Sequence, residues 1–186
     1  MARSAVSRST RYYTTRTVKY EWPTQQLLVW RFVMYGTGGT LLGIFATFLM
    51  IQQQLELGIP WILPYGITVG ALTIIFLLIM DASLLQKALL PGIVMLGAFI
   101  LIVLYMAGMV ETALQLFGSP SNINSNCNTY VFDQSSSGVS LTTFAFLEQR
   151  AICQSWDAAF AFWIVGLVFL VWIIVLASQV NRALND

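Results

Sequence analysis

The sequence predicts an all-α polytopic membrane protein: a bundle of four transmembrane helices with a disulfide-tied loop between the third and the fourth. Three observations point there. Hydrophobic residues fill 58% of the 186 positions, and mean hydropathy is +0.75. Charged residues fill only 9%, where a water-soluble domain carries roughly 25%. The apolar residues gather into four continuous runs, each long enough to supply the ~20 residues that cross ~30 Å of hydrocarbon. In lipid each segment must satisfy its own backbone hydrogen bonds, so continuous runs of this kind are helices. They do not alternate in polarity, which excludes a barrel.

In chain order, a polar, basic arm occupies 1–26, a membrane domain 27–180 and a short tail 181–186. The first span runs from about Leu27 to Ile51 and is followed by a very short turn, Gln52 to Ile59. The second runs from about 60 to 80. Pro60 and Pro64 suit a helix start, where a missing N–H costs little. A hairpin, Asp81 to Ala88, leads to Pro91-Gly92 and a third span of about 89–117. The fourth covers about 158–180. The loop 118–157 is the only sizeable one. Its first half reads as irregular turn. In its second half Leu141, Phe144, Leu147 and Ala151 recur at three- and four-residue spacing. Residues 141–153 thus read either as a short amphipathic helix in the interface or as an extension of the fourth helix.

The first apolar run starts too late and is too long for a cleavable signal, so it is expected to stay in the membrane as an anchor. Orientation follows from the basic residues near the span ends. Arg3, Arg8, Arg11, Arg16, Lys19, Arg31, Lys87 and Arg182 fall on the side of the termini, and only Arg150 on the other. Both termini are therefore expected in the cytoplasm, and the large loop outside, at the plasma membrane or a secretory-pathway membrane.

Composition also restricts the chemistry. The net charge of +1 gives no case for nucleic-acid binding. There is no His, which removes the commonest general base and metal ligand together. No Ser–His pair, paired intramembrane aspartates, acidic metal motif or Gly-rich phosphate loop is present. Neither catalytic residues nor a metal or cofactor site is expected; bound lipids are. Cys127 and Cys153 share the large loop, in an oxidising compartment on this topology. A bridge would close about 27 residues, worth ~3.5 kcal/mol by chain entropy, less any strain.

Other residues invite specific readings. Arg31 and Asp81 sit at similar depth near the cytoplasmic ends of the first two spans and could pair, or each could reach the headgroups alone. Glu111 is the one acid inside an apolar run, and such a carboxylate is a functional suspect. It lies ~33 Å along its helix from Leu89, however, at the outer interface. Gly39–Gly43 and Gly66–Gly70 are both GxxxG pairs, and Gly36 and Thr40 extend the first. These small residues would serve helix packing, either inside the bundle or between chains. In the arm, Arg3, Arg8, Arg11, Arg16 and Lys19 lie among serines and threonines. They would attract anionic lipid, at up to ~1 kcal/mol each, or contact a partner.

The stretch Cys153-Gln-Ser-Trp-Asp-Ala-Ala-Phe-Ala-Phe-Trp, with Arg31 near the start of the first span, resembles fungal MARVEL-type tetraspans of the non-classical-export kind. The pattern of four spans, a very short first outer loop and cytoplasmic termini is similar too, over about Leu27 to Val180. The resemblance implies membrane apposition, microdomain organisation or vesicle traffic. The expected function is thus that of a non-enzymatic tetraspan acting through lateral helix contacts, with lipids and either a membrane-protein partner or a second copy. An accessory subunit of a larger transporter, ATPase or synthase is the other reading.

Overall fold

The computed structural model describes residues 22, 24–54, 56, 58–86, 90–118, 122–132 and 141–182. Helix α1 spans Thr24–Gln54, α2 Ile62–Leu85 and α3 Pro91–Phe117; a short α4, Ile123–Cys127, runs into a π-helical turn at Asn128–Phe132, and α5 spans Leu141–Arg182. No strand occurs among the described residues. Helices α1, α2, α3 and the Gln149–Arg182 part of α5 are each long and apolar enough to cross a membrane. The chain is a four-transmembrane-helix bundle.

The helix boundaries have local causes. Pro91 occupies the first turn of α3, where its ring fits and no N–H is missed. Pro64 is the third residue of α2, and the Pro60 carbonyl accepts from the Leu63 N–H at 3.1 Å. Helix α2 does not stop at Met80. It runs on to Leu85 and carries Asp81 within it, because that carboxylate is neutralised across the helix interface. Helix α5 is 42 residues long, so 141–153 is the start of the fourth helix and not a separate interfacial one. No Gly or Pro occurs between Leu141 and Val165, so nothing breaks the helix between loop and span. At 1.5 Å per residue α5 is roughly 63 Å long, about twice the hydrocarbon thickness.

The four long helices pack in a ring, α1 to α2 to α3 to α5 and back to α1. The core is built from Trp30, Met34, Leu41 and Phe45 of α1, Leu63 and Leu77 of α2, Ala98 and Tyr105 of α3, and Trp163, Leu170 and Ile173 of α5. The surface is as apolar as the core: Phe32, Leu78, Leu96, Phe99, Val103 and Val168 are all more than half exposed. An apolar surface of this extent is a membrane surface.

With lipid outside, apolar burial gives little drive and the helices associate by close van der Waals packing. Glycines make that possible. A Cβ on Gly70 would meet the Gly38 carbonyl oxygen and the Leu42 backbone N at 3.0 Å, so α1 and α2 touch backbone to backbone. Elsewhere each glycine is a notch for a ring: Phe45 over Gly66, Phe76 over Gly97, Trp163 over Gly108 and Tyr105 over Gly166. The buried hydroxyls of Thr37, Thr73 and Thr112 return to carbonyls one turn back in their own helices, at 2.8–2.9 Å. Thr73 also bonds the Tyr105 hydroxyl across the α2–α3 interface at 3.1 Å.

Candidate lateral interaction surface

Helix α1 carries glycines on two faces with opposite surroundings. Gly38 shares the inward stripe of Met34, Leu41 and Phe45 and is buried. Gly36, Gly39 and Gly43 are exposed, and a Cβ built on any of them meets nothing within 4 Å. Among the described residues nothing packs on them, so of the two readings of this GxxxG pair internal packing finds no contact there. The helix period explains it: residues 36, 39 and 43 follow one stripe of α1, and residues 34, 38, 41 and 45 follow another. The outward stripe continues with Phe32 at one end and Thr47 and Met50 at the other, all exposed. The Thr47 hydroxyl bonds the Gly43 carbonyl at 2.9 Å, so it leaves no unsatisfied donor facing lipid. The result is a shallow trough of bare backbone, bounded by large side chains.

The second pair, Gly66 and Gly70, is internal as one of the two readings had it. Gly70 meets α1 at Gly38, not at Gly39 or Gly43. Sequence reading missed Gly38 because Gly38 and Gly39 are adjacent and both lie in small-residue runs. The one signal available was that Gly38 falls in register with Met34, Leu41 and Phe45.

At the end of the bundle where α1 begins and α2 ends, Arg31 and Asp81 do pair. The Arg31 Nη1 donates to Asp81 Oδ1 at 2.7 Å, and the Tyr35 hydroxyl donates to Oδ2 at 2.9 Å. Both charged side chains are about one-third exposed, and the pair ties α1 to α2. At the opposite end Cys127 and Cys153 are disulfide-bonded, with a Cα–Cα distance of 6.0 Å. Ile123 and Val131 pack around the bridge in a small cluster of their own. Asn122 caps α4 by accepting from the Ser125 N–H at 2.7 Å. The extramembrane segment thus has a cap, a covalent tie and a minor core. Glu111 is half-buried near the end of α3 and accepts from Gln115 one turn on, at 3.1 Å. The arm residues Arg3, Arg8, Arg11, Arg16 and Lys19 lie outside the described residues, as does Lys87. Among the described residues no three of His, Cys, Asp and Glu gather as a metal site would need.

Fold and surface together define a polytopic membrane protein of four helices with a disulfide-bonded extramembrane segment. No family model, curated protein or solved structure matches the chain.

Proposed function

We propose that this protein is a non-enzymatic tetraspan that works by lateral association in the membrane, organising a microdomain or a step of membrane traffic. The observation that carries the reading is the outward trough of Gly36, Gly39 and Gly43, on which no described residue packs. A bare helix face lets another helix approach to backbone contact, where close van der Waals packing can hold the two together in lipid. The lack of His and of any catalytic constellation in the sequence supports a role without chemistry. The resemblance to MARVEL-type tetraspans agrees with it. The eight basic residues on the termini side, against Arg150 on the other, support cytoplasmic termini.

The experiment is a comparison of glycines. Gly39→Leu and Gly43→Leu should abolish cross-linking to the neighbouring chain and leave thermal stability unchanged. Gly66→Leu and Gly70→Leu should lower stability instead. If Gly39→Leu unfolds the protein, or leaves association intact, the lateral-contact reading fails. Mass spectrometry of the cross-linked neighbour separates a second copy from a larger complex; the latter would make the chain an accessory subunit. For orientation, cysteines placed at Ser7 and Ser136 should label from opposite sides of the membrane.

A further inference from the structure

We draw no further inference here: the strongest candidate, the groove of about 250 Å³ between α1 and α5 beside Trp30, lined by Val29, Phe169 and Trp172 with the amides of Gln25 and Gln26 at its rim, is an unpartnered apolar face, and nothing in the structure shows what covers it.

Discussion

The two helix pairs of the bundle, α1 with α2 and α3 with α5, solve one problem differently. Both must hold together where lipid offers no hydrophobic drive. In the first, besides one ring in a notch (Phe45 over Gly66), Gly38 and Gly70 bring two backbones together, and the Arg31–Asp81 pair ties the hairpin. In the second, rings fill notches: Trp163 lies in Gly108 and Tyr105 in Gly166, with the two rings edge to face at 5.0 Å. The disulfide then fixes α5 at Cys153 to the segment that follows α3. A backbone contact is intolerant of any added atom. A ring-in-notch contact is intolerant of losing the ring. Glycine is therefore open to overfilling in both pairs, against backbone in the first and against a ring in the second, and the ring-filled notches can also fail by losing their rings.

Trp163→Ala should break the α3–α5 pair most severely. It empties the centre of the bundle and should cost about 3 kcal/mol or more, read by thermal unfolding in detergent. Cys127→Ser frees the extramembrane segment and should cost about 2–4 kcal/mol. Proteolysis confined to that segment, with the spans still protected, is the accompanying signature. On the other pair, Gly70→Ala puts a methyl group 3.0 Å from the Gly38 oxygen and should cost about 1–3 kcal/mol. If Gly70→Ala is neutral, the assignment of backbone contact to the first pair is wrong. Smallest is the ion pair. A double-mutant cycle with Arg31→Met and Asp81→Asn should give a coupling of no more than about 1 kcal/mol, as for other pairs that keep about a third of their side-chain surface exposed.

Features that depend on composition and length were legible in the sequence. The four spans and the Cys127–Cys153 bridge were expected and are present, and of the two readings of Arg31 and Asp81 the paired one is found. Facing was not legible. A soluble helix shows its buried stripe by contrast with a polar one, but here Phe32 and Phe45 are equally apolar, one outside and one inside. Gly39–Gly43 and Gly66–Gly70 consequently look alike in sequence and face opposite ways. The notches at Gly97, Gly108 and Gly166 escaped for a related reason. Each is defined by a ring on another helix, and nothing local to the glycine announces it. The groove beside Trp30 also needs two distant segments in register.

Helix α5 runs unbroken from Leu141 to Arg182, and roughly half of its ~63 Å exceeds the hydrocarbon thickness. A helix of this kind is a stiff lever with two fixed bearings, the bridge at Cys153 and the notch that seats Trp163. Displacing the end near Leu141 must bend the helix, move the Cys127 segment with it, or swing the Arg182 end. Spin labels at Gln149 and Gln179 would show which occurs when the disulfide is reduced. Mechanically, the two faces of the membrane are joined by one continuous beam, and the bridge at Cys153 is its pivot.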